Sequence, residues 1–130
     1  SESVSKSSDI KIKAKGYDVI GVDEAQFFDN EIVKICNDLA NEGIRVIVAG
    51  LDMDFKGNPF GPMPNLMAIA EYVTKLHAIC AKSGNLANHS HRISNDKSLV
   101  HLGQKESYMP LSRVEFQKLI QKNNHTKEKP

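Results

Sequence analysis

Two short apolar runs flank an amphipathic segment in the first part of the chain. The β-branched run Tyr17–Val22 predicts a buried strand, and Ile44–Gly50 predicts a second one. Between them, Asp29–Gly43 predicts a helix, with Asp29 as its N-cap and Gly43 as its C′ residue. Its apolar residues fall on one helical face: Ile32, Ile35, Cys36, Leu39 and Ala40. A strand, a helix and a strand at this spacing indicate a βαβ unit with parallel strands.

The segments on either side of this unit carry less regular patterns. Residues 1–15 are rich in serine and lysine, and their alternating isoleucines and lysines favour a loop that leads into a short edge strand. Leu51–Pro64 is a long loop rich in glycine and proline, placed where α/β proteins build their sites. After it, Asn65–Tyr72 predicts a short helix and Val73–Cys80 predicts a third strand.

Beyond the predicted third strand, short strands and polar turns replace the βαβ arrangement. Asn88–Ile93 and Leu99–Leu102 predict two strands of a small β flap. Ser112 and Glu115 have the spacing of a capping box ahead of apolar residues, so we expect a C-terminal helix. Residues 123–130 are polar and predict a disordered tail. The expected division is an α/β core, a flap subdomain, and a helix with its tail, at residues 1–80, 81–115 and 116–130.

The composition is that of an ordinary folded protein. The chain has 130 residues, of which 40% are hydrophobic and 25% charged, and this length fits one domain. The formal net charge of +1 provides no basic surface for nucleic acid. No apolar stretch approaches the length of a membrane span, and the N-terminus lacks the apolar centre of a signal peptide. Cys36 and Cys80 lie far apart in apolar runs, so we expect buried free thiols and a cytoplasmic protein.

The clearest local candidate for chemistry is the acidic pair Asp23-Glu24, at the end of the first predicted strand. Apolar strand residues followed by Asp-Glu resemble the Walker B element of nucleoside triphosphatases. A buried strand brings both carboxylates to a cleft where a triphosphate and Mg²⁺ bind, so that one can hold the metal through water and the other can accept a proton. The alternative is an acidic lead-in to the following helix, favoured by the helix dipole. This motif alone leaves both interpretations open.

Longer strings of residues are more specific than the acidic pair. They are Asp23-Glu24-Ala25-Gln26-Phe27-Phe28, Val48–Phe55, Asn58–Pro62 and Leu66–Leu76. Together they resemble the thymidine kinase family of the type found in most bacteria and in animal cytosol, and the resemblance runs from Tyr17 to about Arg113. It implies a RecA-like α/β fold of the P-loop-kinase type with a parallel sheet, followed by a small β flap.

The resemblance also implies a reaction, the transfer of the γ-phosphoryl group of ATP to the 5′-hydroxyl of thymidine in deoxynucleotide salvage, with Mg²⁺. Glu24 matches the family's general base, which accepts the proton of the 5′-hydroxyl. Asp23 matches the carboxylate on the metal side, and Ala25 and Gln26 belong to the same element that contacts ATP and Mg²⁺. The family is commonly tetrameric and inhibited by dTTP, so we expect a homotetramer with this feedback inhibitor, and neither nucleic acid nor membrane as a partner.

Six residues match positions that surround the nucleoside in this family: Phe27, Leu51, Phe55, Phe60, Ser90 and Tyr108. Ser90 falls where the family often has a threonine beside the thymine methyl group. Tyr108 matches the aromatic residue that closes over the base. The resemblance implies that a loop from about His91 to Met109 becomes ordered when substrate binds and excludes water, which would otherwise accept the phosphoryl group.

Several of these residues have a simpler alternative explanation. Phe55 and Phe60 could be core residues alone, since aromatic side chains dominate cores. Tyr108 could be a residue of a surface loop. Asp52 and Asp54 could form turns, and their role stays open.

The first departure from the family pattern concerns zinc. The family usually binds zinc with two Cys-x-x-Cys pairs, but the first pair here reads Cys80-Ala81-Lys82-Ser83, and Ser112 and Glu115 stand at the second. One thiol cannot form a four-coordinate thiolate site, so we expect no structural zinc. We expect the capping box of Ser112 and Glu115 to tether this end of the chain instead.

The second departure concerns the phosphate-binding loop. The 130 residues contain no G-x-x-x-x-G-K-[ST] motif, which supplies the backbone cradle and the lysine for the phosphates. Family members place this loop ahead of the region that matches Tyr17, so we expect a C-terminal portion of a thymidine kinase that is inactive alone. One alternative is a non-catalytic nucleoside-binding or assembly fragment. Another is half of a split ATPase that borrows the loop from a partner.

Overall fold

The computed structural model describes residues 1–93 and 108–128, without the side chains from residue 126 onward. The chain divides into two compact units, and each is described by itself. The first unit contains Ser1–Asp52 and Pro59–Val73, and the second contains Met53–Asn58 and Thr74–Pro130. The predicted flap strand Leu99–Leu102 lies outside the described residues.

A parallel pair of strands forms the centre of the first unit. Strand β1 (Val19–Val22) pairs with β2 (Arg45–Val48), and Val19 lies opposite Arg45. Helix α2 (Glu31–Asn41) connects the two strands. The predicted βαβ unit is therefore confirmed, and the chain has a mixed α/β structure.

A helix, α1 (Ser7–Lys13), occupies the N-terminal segment, so the expectation of a loop and an edge strand there is wrong. Alternating isoleucines and lysines suggested a period of two residues. The buried residues are instead Ser7, Ile10 and Ala14, whose spacing of three and four residues is that of one helical face. Ile12, which the alternation would have placed beside Ile10, is exposed.

The predicted ends of α2 are close to the observed ones. The N-cap of α2 is Asn30, one residue after the predicted Asp29, and its side chain makes no capping hydrogen bond. A side-chain oxygen of Asp29 accepts hydrogen bonds from the N–H of Glu31 at 3.0 Å and the hydroxyl of Ser7 at 2.8 Å, so Asp29 links the start of α2 to α1. Gly43 has a φ of 90°, and the N–H of Ile44 donates to the carbonyl of Leu39 at 3.1 Å. This is the left-handed C-terminal turn that glycine favours.

The core of the first unit lies between the helices and one face of the β1–β2 pair. Its buried members are Ile10, Ala14, Val22, Ala25, Ile32, Ile35, Cys36, Leu39, Met63 and Leu66. Ala40, which the sequence predicted on the same helical face, is exposed. Val19 and Ile47 lie on the other face of the strands and are about half exposed, so the strands are buried on one face rather than on both.

The segment after β2 differs from the prediction in two places. Helix α3 (Met63–Ile69) begins before the predicted Asn65, because Pro64 lies in its first turn. Backbone N–H groups in the first turn have no partner within the helix, so proline, which has no N–H, is tolerated there. The predicted strand Val73–Cys80 shortens to the two residues of β3 (Ala78–Ile79). Tyr72 and Leu76 are almost fully exposed. The alternation of apolar and polar residues in this segment therefore does not correspond to a strand with one buried face.

The second unit contains two antiparallel pairs and a helix. Strand β3 pairs with β4 (Leu86–Ala87), and β5 (His89–Arg92) pairs with β6 (Tyr108–Leu111). Helix α4 (Arg113–Glu128) follows, and it continues through residues where the sequence predicted a disordered tail. Once a helix is nucleated, each added residue gains a hydrogen bond, which favours this extension.

A small core joins these elements of the second unit. Its buried members are Cys80, Ala87, Leu111 and Phe116. The Phe116 ring on α4 stacks on the imidazole of His89, with 4.4 Å between ring centroids. The hydroxyl of Ser112 accepts the N–H of Glu115 at 3.4 Å, as one half of the predicted capping box requires.

Both cysteines are free and buried, as predicted. Burial raises the pKa of the Cys36 thiol. Burial also acts to raise the pKa of Cys80, but hydrogen bonds from Ser83 and from the backbone N–H groups of Ser112 and Lys82 outweigh it and lower this pKa to about 6. No helix in residues 1–93 or 108–128 is long and apolar enough to cross a membrane.

We predict that Gly61→Ala destabilises the first unit by about 2 kcal/mol or more. Gly61 has a φ of 49°, and a Cβ there would overlap the backbone carbonyl oxygen of Gln26. Gly43→Ala shares the positive φ but has open space, so it should cost about 1 kcal/mol. Gly21→Ala has open space and an ordinary φ, and should change stability by less than about 0.5 kcal/mol. Urea denaturation of the three variants tests this order, and equal losses for Gly61 and Gly43 would contradict it.

We predict that the two cysteines give opposite pH dependences of stability. The lowered pKa of Cys80 favours the folded state increasingly as pH rises from about 6 towards the ordinary thiol value near 9, and this gain is lost below pH 6. Relative to Cys80→Ser, the unaltered chain should therefore gain free energy of unfolding over that range. The raised pKa of Cys36 works the other way, so the stability that it confers relative to Cys36→Ala should fall as pH rises through 9. Denaturation curves at pH 6, 7.5 and 9 measure the first effect, and parallel curves for Cys80→Ser would refute it. Curves continued to about pH 10.5 measure the second effect.

Candidate functional site

The acidic pair lies at the carboxyl end of β1, in an unusual backbone conformation. Glu24 has a φ of 52° and a ψ of 42°, and it is the only non-glycine residue with positive φ in the described part of the chain. Its N–H donates to a side-chain oxygen of Asp23 at 2.8 Å. The left-handed conformation costs about 1–2 kcal/mol for a residue with a Cβ. Strain of this kind is concentrated at functional sites and persists only where the surroundings enforce it.

The side chain of Gln26 holds the carboxylate of Glu24. Its Nε2 donates to Oε2 of Glu24 at 2.5 Å, and its Oε1 accepts the N–H of Leu51 at 3.0 Å. Gln26 is 3% exposed, so its amide is buried, whereas its two partners, Glu24 and Leu51, are exposed. The amide thereby connects the turn after β1 to the segment after β2. The sequence placed Gln26 in this element but did not reveal its bond to Leu51, which is 25 residues away.

Backbone contacts bring these two segments close together around Gln26. The N–H of Ala25 donates to the carbonyl of Ala49 at 3.1 Å, and Ala25 is fully buried. A Cβ at Gly50 would lie 2.8 Å from the sulfur of Met63 and 2.9 Å from Oε1 of Gln26. Glycine at this position therefore leaves room for the buried amide.

Three of the predicted nucleoside-contacting residues belong to the first unit. The rings of Phe27 and Phe60 meet edge to face, with 5.5 Å between centroids. Phe27 and Leu51 are about half exposed, so neither is a simple core residue. Their apolar surface is open to a ligand.

The other three predicted nucleoside-contacting residues belong to the second unit. Side chains alternate between the two faces of a strand, so Ser90 and Arg92 share one face of β5. Tyr108 lies directly opposite Arg92 in the antiparallel register. The Arg92 guanidinium carbon lies 4.8 Å from the centroid of the Phe55 ring and 5.9 Å from that of Tyr108. Arg92 thus joins Phe55, Ser90 and Tyr108, and the one sequence signal for it is its position two residues after Ser90.

Asp54 forms a turn, as its residue type suggested. Its Oδ1 accepts the N–H groups of Lys56 and Asn58 at 2.9 and 3.0 Å. This is the local pattern by which aspartate stabilises a loop. The turn holds Phe55 at its tip, next to Arg92.

The residues that stand where the family resemblance places zinc ligands make other contacts. Cys80 accepts the N–H of Ser83 at 3.4 Å, and the carboxylate of Glu115 lies 3.2 Å from the ammonium of Lys118. The described residues include no group of three or more histidine, cysteine, aspartate or glutamate side chains that could hold a metal ion. A single thiolate supplies one of the four ligands that a structural zinc site uses.

Comparison with known proteins identifies relatives of this chain. The model of the family described as "Thymidine kinase" matches residues 1–116. A thymidine kinase of Bacteroides fragilis is 53% identical over 121 residues, which cover 92% of this chain and 60% of that protein. The thymidine kinase of Bacteroides thetaiotaomicron is 57% identical over 111 residues, or 85% of this chain and 55% of the relative. One from Rhodothermus sp. is 53% identical over 114 residues, covering 88% of this chain and 54% of the relative.

The chain spans little more than half the length of these curated relatives. The family match nevertheless includes β1, the Glu24 turn, β2 and β6. It also includes the Phe27–Phe60 pair and the aromatic residues around Arg92, which are Phe55 and Tyr108. Because the match covers most of the 130 residues and the relatives share about half of their aligned positions with them, the chain belongs to the thymidine kinase family.

Proposed function

We propose that this chain carries the catalytic-base and nucleoside-binding elements of a thymidine kinase, which transfers the γ-phosphoryl group of ATP to the 5′-hydroxyl of thymidine. Family membership supports the reaction. The observation that carries the assignment of roles is the strained Glu24, whose carboxylate is bonded to the buried amide of Gln26. A general base must be held within reach of the proton that it accepts, and this amide provides such a support.

The proposed step is a direct displacement at phosphorus. The 5′-oxygen of thymidine forms a bond to the γ-phosphorus of ATP while the bond from that phosphorus to the β–γ bridging oxygen breaks and ADP leaves. The carboxylate of Glu24 accepts the proton of the 5′-hydroxyl. Because Gln26 donates to Oε2 of Glu24, it fixes the direction in which the other carboxylate oxygen is presented.

Asp23 is the residue that would hold Mg²⁺, through a water molecule. One of its oxygens already accepts the N–H of Glu24, which leaves the other for such a contact. A carboxylate at the end of a strand suits Mg²⁺, which keeps several waters and is bound by one or two carboxylates together with phosphates. The ion would supply neutralisation of phosphate charge. Ala25 and Gln26 complete the proposed element for ATP and Mg²⁺.

The proposed nucleoside contacts follow the family resemblance and are supported by exposure and grouping. They are Phe27, Leu51, Phe55, Phe60, Ser90 and Tyr108. The half-exposed Phe27 and Leu51 offer apolar surface, and Phe55 and Tyr108 share one neighbour, Arg92. Aromatic side chains suit the flat faces of a base.

The wider features of the family are also proposals for this chain. They are a RecA-like parallel sheet, of which β1 and β2 would be part, a cytoplasmic location, a homotetramer, and feedback inhibition by dTTP. The parallel β1–β2 pair with its connecting helix supports the first of them. We also propose that the protein uses no structural zinc, which the hydrogen-bonded surroundings of Cys80 support.

A second candidate is a non-catalytic nucleoside-binding or assembly fragment. The half-exposed apolar side chains of Phe27 and Leu51 support it, since they can bind a nucleoside without the phosphate contacts that phosphoryl transfer needs. The two candidates differ in one measurable respect, because only the first includes turnover.

We predict that Glu24→Gln lowers thymidine phosphorylation by about a hundredfold to ten-thousandfold, because the amide cannot accept the proton. Since the chain is expected to be inactive alone, the assay follows thymidine monophosphate formed with ATP and Mg²⁺ after a P-loop segment from a thymidine kinase relative has been joined to it. Calorimetry follows thymidine binding, which Glu24→Gln should leave intact. Glu42→Gln, an exposed acidic residue just after α2, is the matched control and should keep full activity. Turnover by Glu24→Gln equal to that of the unaltered chain would refute the base. Thymidine binding without turnover by the unaltered chain, even when the P-loop segment is supplied, would favour the second candidate.

We predict that the Gln26 amide can be tested apart from turnover, through stability. Gln26→Leu removes both hydrogen bonds and leaves the N–H of Leu51 unpaired, at a cost of about 1–3 kcal/mol. Gln26→Glu keeps an oxygen for Leu51 but sets a second carboxylate against Glu24. It should therefore be strongly destabilised at pH 7 and recover at pH 4, where a shared proton restores a hydrogen bond. Urea denaturation at both pH values measures this, and a Gln26→Glu loss that does not depend on pH would contradict the arrangement.

A further inference from the structure

Arg92 is a buried cation whose hydrogen-bonding groups are unused in the described structure. The residue is 8% exposed, which is unusual for arginine. Its Nε, Nη1 and Nη2 atoms are buried, and none has a hydrogen-bond partner among residues 1–93 and 108–128. Leaving buried charged donors unpaired is costly, so this guanidinium requires an acceptor.

The neighbours of Arg92 stabilise its charge but do not satisfy its N–H groups. The Phe55 and Tyr108 rings lie within 6 Å of the guanidinium carbon, at a distance where the face of an aromatic ring attracts a cation. Such contacts act on the flat faces of the guanidinium, whereas its N–H bonds point outward in its plane. No carboxylate in the described residues forms an ion pair with Arg92.

The strand register places Arg92 among the proposed nucleoside contacts. Ser90 lies two residues before it on the same face of β5, and Tyr108 lies opposite it on β6. His89 lies on the other face, where it stacks on Phe116 of α4. The side chain of Arg92 therefore lies on the face of the β5–β6 pair opposite to the face on which His89 meets α4.

We propose that Arg92 determines specificity for the base, by donating hydrogen bonds to a ring carbonyl oxygen of a pyrimidine nucleoside. This inference rests on the proposed function, because it uses the same nucleoside site. A guanidinium only donates hydrogen bonds, so its complement is an acceptor. The two aromatic rings beside the guanidinium suit the flat faces of a neutral base. The ammonium of Lys56 also lies near the Phe55 ring, 5.7 Å from its centroid.

The proposed contact favours bases that present carbonyl oxygens. Thymine and uracil carry two such oxygens and cytosine carries one. Adenine carries none and would leave the guanidinium unpaired. A site built around a buried donor rejects a ligand without the matching acceptor more strongly than an apolar pocket rejects a change of shape.

The test uses thymidine, 2-thiothymidine and 4-thiothymidine as calorimetric ligands for the full chain. Arg92→Met keeps the length of the side chain and its apolar stem but removes all donors. It should bind thymidine at least about tenfold more weakly. Sulfur accepts hydrogen bonds less well than oxygen. The thio analogue that replaces the contacted oxygen should therefore bind the unaltered chain more weakly than thymidine does. Its affinity should fall little further on Arg92→Met. The other thio analogue should lose as much as thymidine does, and this non-additivity identifies the oxygen that Arg92 contacts.

Arg92→Lys is the second variant, and it decides the matter if Arg92→Met does not fold. Lysine keeps the charge near Phe55 and Tyr108 but not the planar group of donors. We expect weaker thymidine binding with the same non-additivity, and urea denaturation confirms that the variant is folded. An equal loss for all three ligands would mean that Arg92 has only a structural role, and it would overturn the inference.

Two further results separate this inference from the proposed function. Thymidine binding by the unaltered chain that neither variant weakens would overturn the role of Arg92 and leave the proposed function standing. A failure of the unaltered chain to bind thymidine would overturn the proposed nucleoside site, and the role of Arg92 with it.

Discussion

The buried carboxamide of Gln26 is the interaction on which the candidate site depends. It is bonded to Glu24 on one side and to the backbone of Leu51 on the other, so the ends of two parallel strands are connected through one side chain. A buried amide must satisfy both its donor and its acceptor. The position of Glu24 is therefore coupled to the path of the chain after β2, and neither segment can shift without breaking a hydrogen bond to this buried amide.

This constraint also explains where the first unit needs glycine. Gly50 and Gly61 both pass so close to Gln26 that a Cβ would collide with it or with its neighbours. The parallel pairing of β1 and β2 brings their carboxyl ends to the same edge, and the N–H of Ala25 extends that pairing by one more hydrogen bond to Ala49. Packing of the backbone and orientation of the proposed base thus have one physical origin.

The elements predicted correctly from the sequence are those in which pattern and packing agree. Helix α2 has a regular apolar face and recognisable ends at Asp29 and Gly43, and β1 and β2 are short β-branched runs. The N-terminal helix was missed because alternating lysines obscured a face built from a serine, an isoleucine and an alanine. The short β3 was overestimated because alternation in a sequence does not require that either side be buried.

The candidate site was predictable to the extent that it is local along the chain. The turn Asp23-Glu24 follows directly from the end of a strand, and the family motifs name its neighbours. The bond from Gln26 to Leu51 and the grouping of Arg92 with Phe55 and Tyr108 join residues that are far apart in sequence. No spacing rule connects such residues, because three-dimensional register decides which side chains meet.

The left-handed conformation of Glu24 sets stability against chemistry at a single position. Glycine adopts this conformation without a steric penalty, and asparagine adopts it more readily than glutamate does. A library of this chain selected only for resistance to heat or protease would therefore accumulate glycine or asparagine at position 24, and the carboxylate would be lost. A selection that demanded phosphoryl transfer would keep it, so the strained turn marks a place where evolution for robustness and evolution for activity lead to different residues.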